Sequence, residues 1–218
     1  DARCILDHHH HDVWFLYSCR HRNGCAAMSS ILLAVTNAYQ SIAYTQGLLM
    51  TYYSHSQTSH PVNQSQMNSL FNGATQLGSS VLNETIHFSD DGANGGGQGQ
   101  TKSKPFGWPS SNYAVKFEGF IYAPTTGTYT FGIDGDDAMD LRVNNTRVAH
   151  FYDGHGFRDS YSSGNGQVSS TIALTGGQYY PFRARFEEIS GGDGISVGWK
   201  KPGDSNYSLI PAANLFYS

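Results

Sequence analysis

From Gly47 to the carboxyl end, the sequence consists of short runs of alternating apolar and polar residues, each soon closed by Gly, Pro, Asn or Asp. A repeat of two is the signature of a strand buried on one face, and such frequent punctuation leaves no room for the three-to-four spacing of a long helix. The runs predict strands at Leu48–Tyr53, Thr85–Phe88, Tyr113–Tyr122, Gly127–Ile133, Met139–Val143, Arg147–Phe151, Val168–Ala173, Gln178–Glu187 and Ile195–Lys200, with a closing segment near Leu209. In the third of these, Tyr113, Val115, Phe117 and Ile121 alternate with Lys116 and Glu118, so one face is buried and the other wet. Tyr129, Phe131 and Ile133 repeat the pattern. Between the two lies Ala123-Pro124-Thr125-Thr126-Gly127, where Pro pre-sets φ and Gly admits a positive one, and this predicts a hairpin. The fold class expected is all-β, an antiparallel β-sandwich.

Composition supports that class and excludes others. The chain has 218 residues, with 25 Gly, 14 Tyr and 12 Phe, and only 14% of it is charged. That is the make-up of a turn-rich, aromatic-rich β protein, long enough for one core with an appendage. Thirteen Lys and Arg against 17 Asp and Glu give a net charge of -4. No basic face is available to neutralise a phosphate backbone, so nucleic acid is not an expected partner. The longest apolar run, Ile31–Val35, is far short of the roughly 20 residues that cross a bilayer. Gly92–Gly99 holds five glycines in eight residues but no G-K-[ST] ending, and it predicts a loop rather than a phosphate cradle. The weaker acidic run Asp90-Asp91-Gly92 is read as a turn.

Residues 1–46 differ from the rest. The sequence opens at Asp1 rather than Met, and no signal peptide is legible there. Met28, Ile31, Leu32, Val35, Tyr39 and Ile42 recur at the spacing of one helix face, predicting a helix over 27–43. All three cysteines, Cys4, Cys19 and Cys25, lie upstream of it among His8–His11 and His21. An odd count suggests one internal disulfide and one sulfur free or shared between subunits. A zinc site is the rival reading, although the spacing fits no standard finger, and an appended His run is a third. An apolar stripe needs a partner surface, so this partly helical extension is expected to dock on the sandwich or, by self-association, on a neighbouring subunit.

The chemistry concentrates at Asp134-Gly135-Asp136-Asp137-Ala138-Met139-Asp140, four carboxylates in seven residues. Clustered carboxylates repel one another, and a hard cation such as Ca2+, which takes six to eight oxygens, relieves that cost. The spacing is not that of an EF-hand, because Ala138 and Met139 occupy the fifth and sixth positions. An acidic turn capping backbone amides is the alternative.

Phe117-Glu118-Gly119-Phe120-Ile121-Tyr122-Ala123-Pro124, then Gly127-Thr128-Tyr129-Thr130-Phe131, then Asp136-Asp137, together resemble the domain first described in anthrax protective antigen and shared by yeast flocculins, yeast adhesins and bacterial surface proteins. Leu174-Thr175-Gly176-Gly177-Gln178-Tyr179-Tyr180-Pro181-Phe182-Arg183 resembles that family's L-x-x-G-x-Y-Y-P-x-R strand, and Val197-Gly198-Trp199-Lys200-Lys201-Pro202-Gly203 its W-x-x-P-G hairpin. Gly47–Tyr53 is similar to its opening strand, and Ile210-Pro211 with Leu215-Phe216 to its closing segment. The resemblance covers residues 47–218 and implies that these form a carbohydrate-binding domain, with 1–46 outside it. It implies that Asp136 and Asp137, joined by a cis peptide, hold Ca2+, and that the ion chelates a sugar diol. The remaining ligands it implies come from the loop Glu188-Ile189-Ser190-Gly191-Gly192-Asp193-Gly194: a side chain from Glu188 or Asp193, and carbonyls from Ser190 and Gly192. Many yeast members have Asn where Glu188 stands. Asp153-Gly154-His155-Gly156-Phe157-Arg158-Asp159 resembles a loop bordering the sugar, which implies that His155, Phe157 and Arg158 contact ligand. Trp199 is expected in the core.

The implied function is that of an extracellular, cell-surface, calcium-dependent lectin or adhesin, and not of an enzyme. Glycoside cleavage needs two carboxyls facing each other across about 5 to 9 Å, which adjacent aspartates in one turn cannot supply. H-E-x-x-H does not occur. The alternative is a structural subunit of an extracellular filament or surface layer, with calcium stiffening loops and residues 1–46 docking on a neighbour.

Overall fold

A computed structural model describes residues 6–10, 13–16, 43–88, 109–161 and 167–218. The chain divides into two units, residues 1–42 and 43–218. In the first, β1 (Leu6–His10) and β2 (Val13–Leu16) pair antiparallel, with Leu6 opposite Leu16 and His10 opposite Val13. Cys4, Cys19, Cys25, His11 and residues 27–42 of the expected helix lie outside the described residues, as do Gly92–Gly99 and Asp90-Asp91.

The second unit is two packed antiparallel sheets. Its elements are β3 (Thr45–Gln46), β4 (Leu48–Ser54), α1 (Gln64–Gly73), β5 (Thr75–Leu82), β6 (His87–Phe88), β7 (Tyr113–Ala123), β8 (Gly127–Asp136), β9 (Met139–Val143), β10 (Thr146–Phe151), β11 (Val168–Ser169), β12 (Thr171–Leu174), β13 (Gln178–Glu188), β14 (Gly194–Lys200), β15 (Ser208–Leu209) and β16 (Leu215–Tyr217). The larger sheet runs β11-β10-β9-β13-β7-β16-β3, with β4 on β7 and β5 on β4; the smaller runs β12-β8-β14-β15, with β6 on β14. Phe117, Ile121, Phe182 and Phe186 of the larger sheet meet Tyr129, Phe131, Ile133, Val197 and Trp199 of the smaller in one buried core. Trp199 is in that core, as expected.

The expected hairpin between β7 and β8 does not form. β7 pairs over eleven residues with β13 and, on its other edge, with β4 and then β16. β8 pairs with β12 and β14 instead. Both strands bury their alternating aromatics in the same core from opposite sides, so Pro124–Thr126 carries the chain from one sheet to the other. Gly119 sits where the edge of β7 changes partner from β4 to β16; a Cβ there would meet the Phe216 carbonyl oxygen at 2.1 Å. Only glycine lets the two backbones approach that closely.

Helix α1 was not anticipated. Asn63 caps it, accepting a hydrogen bond from the Gln66 amide at 3.0 Å. Only Met67 and Leu70 of its residues are buried. Leu70 and Phe71 pack on Tyr53 and Ala114, so the helix covers part of the larger sheet's outer face.

Candidate functional site: an acidic crossing between the sheets

β8 ends at Asp136 and β9 begins at Met139, so Asp137-Ala138 is a second crossing between sheets. The Asp136–Asp137 peptide is cis. The crossing is tied to β13: the Asp137 amide donates to the Glu187 carbonyl at 3.3 Å, and the Glu187 amide to the Ala138 carbonyl at 2.9 Å. This holds the end of β13, and with it Glu188, beside the two aspartates.

The four carboxylates of the motif divide into two kinds. Asp140 and Asp134 are structural. Asp140 is fully buried, accepting from Arg185 Nε at 2.9 Å and from the Tyr152 hydroxyl at 2.8 Å. Asp134 Oδ2 accepts from the Arg158 and Ser160 amides at 3.0 and 2.9 Å. Burial raises the Asp134 pKa, and those two amides act against the rise. Asp136 and Asp137, with Glu188, bring ligand oxygens within 4.8 Å of one another. Asp136 Oδ2 accepts from the Phe157 amide at 3.3 Å, and Asp137 Oδ1 from the His155 amide at 3.0 Å. Glu188 is fully buried, yet among the described residues neither of its carboxylate oxygens has a hydrogen-bond donor. Burial first, and then the charges of Asp137, Asp136 and Asp193, push its carboxyl well above the usual range. Three acids gathered around an unsatisfied buried carboxylate require either bound protons or a cation. The donor set is all oxygen and anionic, which fits Ca2+.

The other expected residues fall around this centre. Asp193 is buried and turned to the Tyr113 hydroxyl, which donates to it at 2.6 Å. Ser190, exposed, and Gly192, half-buried, lie in the connection from Glu188 to β14. His155 places Nδ1 2.9 Å from the Gly135 carbonyl, and its ring centre is 4.4 Å from that of Phe151. The Phe157 side chain packs against Gly194, where a Cβ would come within 2.5 Å of its ring. Arg158 is exposed.

Several residues escaped the sequence reading. His60 Nδ1 is 3.2 Å from Glu187 Oε2 and 3.4 Å from Asp137 Oδ2. Burial lifts the Glu187 pKa to about 7, with Asp137 adding to the rise and His60 opposing it. His55 Nε2 is 3.1 Å from the Glu188 carbonyl and 3.2 Å from that of Tyr113, so it braces the end of β13. The backbone amides of residues 155–160, which dock on three of the motif's four carboxylates, were also missed. Backbone donors leave no trace in residue identity, and both histidines reach the site from over 70 residues upstream.

A family model described as the PA14 domain matches residues 46–212 of the chain. Among solved structures, the PA14 sugar-binding domain from an RTX adhesin aligns with a TM-score of 0.61 at 19% identity, covering 80% of this chain and 99% of that one. The PA14 domain of the MpAFP antifreeze protein aligns at 0.60 and 17% identity, covering 82% and 94%. The epithelial adhesin 6 A domain from Candida glabrata, solved in complex with Galβ1-3GlcNAc, aligns at 0.57 and 17% identity, covering 82% and 90%. No curated protein matches the chain. The family model spans most of the chain and the structural alignments share its two-sheet fold, so this chain belongs to the PA14 domain family.

Proposed function

We propose that residues 43–218 are a calcium-dependent carbohydrate-binding module of an extracellular adhesin. The observation that carries this reading is the buried Glu188 carboxylate, which among the described residues lacks a hydrogen-bond donor on either oxygen and brings an oxygen within 4.8 Å of oxygens of Asp136 and Asp137. Bound there, Ca2+ would offer open coordination positions to neighbouring hydroxyls of a sugar. Asp136, Asp137 and Glu188 would hold it, with Ser190 and Gly192 carbonyls completing the set and Asp193 held back by Tyr113. The chain's own part is orientation: the Phe157 and His155 amides fix the two aspartates, and the crossing's bonds to Glu187 fix their distance from Glu188. His155, Phe157 and Arg158, on the same loop, form the bordering wall on which a pyranose would rest. The module binds and does not cut, because its carboxylates converge on one point instead of facing each other across a bond. The glycan ligands of the Candida glabrata relatives and the sugar-binding domain of the RTX adhesin support this reading. Among the described residues no helix is long and apolar enough to cross a membrane.

A glycan array probed with the full chain tests it. Binding in millimolar calcium, lost in chelator and lost in Asp137→Ala, is the expected result. Equal binding in chelator would overturn it.

A further inference from the structure

A second feature lies on the outer face of the larger sheet. There Arg142, Arg183 and Glu118 stand in one row across β9, β13 and β7, Arg183 opposite both of the others. They line a groove of about 410 Å³ with Gly119, Asn145, Pro181 and Phe182. In the next row, Asp140 and Arg185 neutralise each other through a buried ion pair. Glu118 is occupied, its Oε2 lying 2.8 Å from Lys116 Nζ on its own strand. Among the described residues Arg142 donates only to the Asn145 carbonyl, at 2.7 Å. Arg183 makes no hydrogen bond or ion pair among the described residues, and the Nε of each arginine is buried without a partner.

Two like charges directly opposite on paired strands destabilise a sheet. Here they occur in a chain of net charge -4, with Asp140 and Glu118 already paired. The frame around them is stiff. Asn144 and Asn145, with φ of 49° and 61°, form the two-residue turn between β9 and β10, and the Asn144 amide donates to the Pro181 carbonyl at 2.8 Å. Burial, with Arg185 and Arg142 alongside, lowers the Arg183 guanidinium pKa.

We propose that this groove binds an oxyanion, a sulfate or carboxylate group carried by an acidic saccharide or free in solution, between the Arg142 and Arg183 guanidiniums. Planar, always-charged donors in a fixed frame suit an ion with two or more oxygens. The site lies apart from the Asp136–Asp137 crossing and shares no residue with it. Calorimetric titration of the full chain with inorganic sulfate, and with a sulfated oligosaccharide, tests it. At least one of the two should bind, with affinity at least tenfold weaker in Arg183→Gln and again in Arg142→Gln, while calcium affinity stays unchanged in both. Binding of the oligosaccharide alone identifies the glycan as the source, and binding of sulfate alone identifies the free ion. No binding of either by the wild type, or equal affinity in both variants, would overturn the proposal.

Discussion

Strand β8 leaves the core through a crossing at each end, and the two crossings are built on opposite principles. At the Pro124–Thr126 end the recorded hydrogen bonds join neutral groups. The Tyr129 hydroxyl donates to the Thr125 carbonyl at 2.7 Å, the Gly177 amide to the Ala123 carbonyl at 2.7 Å, and the Gly176 amide to Thr126 Oγ1 at 2.8 Å. At the Asp137-Ala138 end, amides satisfy Asp134, Asp136 and Asp137 in part, but Glu188 stays buried with bare oxygens. A sandwich needs both crossings to be stable, and only the second leaves a deficit that an external cation can fill. Two connections with the same topological role are thus told apart by where their buried polar groups go.

The largest effect expected is on stability at the satisfied end. Tyr129→Ala empties a fully buried aromatic site and should cost about 3–5 kcal/mol in urea unfolding, with calcium affinity of the folded protein unchanged. At the acidic end the opposite pattern is expected. Asp137→Ala should weaken calcium binding about a hundredfold, roughly 2.8 kcal/mol by calorimetry, while stability in chelator stays level or rises because one repelling charge is gone. Wild-type protein at a calcium concentration a hundred times its Kd should gain about 2.7 kcal/mol over chelator. An Asp137→Ala melting curve that still moves with calcium would break the contrast.

The pH dependence of the metal-free protein sharpens the comparison. The Glu187 pKa stands near 7 in the folded state against 4.5 unfolded, and that of Glu188 is also raised. Between those values the folded chain holds protons that the unfolded chain releases, so metal-free stability should be greatest below about pH 4.5 and fall as pH rises toward 7. Calcium affinity should rise over the same window, because the ion displaces the protons. Melting curves in chelator that are flat from pH 5 to 7 would contradict this. The smallest effect belongs to the satisfied crossing: Tyr129→Phe removes one hydroxyl and should cost about 1 kcal/mol, without moving either pH curve.

Much of the sandwich was legible because period two states which face of a strand is buried, as in Phe117 and Phe131. Pairing was less so. β7 and β8 look like hairpin arms locally, and only the eleven-residue match of β7 with β13, more than 50 residues downstream, pulls them into separate sheets. Helix α1, with two buried residues in ten, carries too faint a stripe to read, and β5 begins with three exposed residues before any burial. At the site, the acidic run pointed to Asp136 and Asp137 and the family resemblance added Glu188, and the fold gathers the oxygens of all three. The resemblance offered Asp193 as the alternative to Glu188, and the Asp193 carboxylate accepts a tertiary hydrogen bond from the Tyr113 hydroxyl. His55, His60 and the amides of residues 155–160 depend on contacts that no local pattern encodes.

The central claim is that Asp136, Asp137 and Glu188 hold one calcium ion. Crystals grown with calcium and measured for anomalous scattering test it most directly. The account predicts a single strong peak at this crossing, with oxygens of all three carboxylates about 2.3–2.6 Å from it. A calcium-saturated crystal with no peak there, and Glu188 still bare, would contradict it.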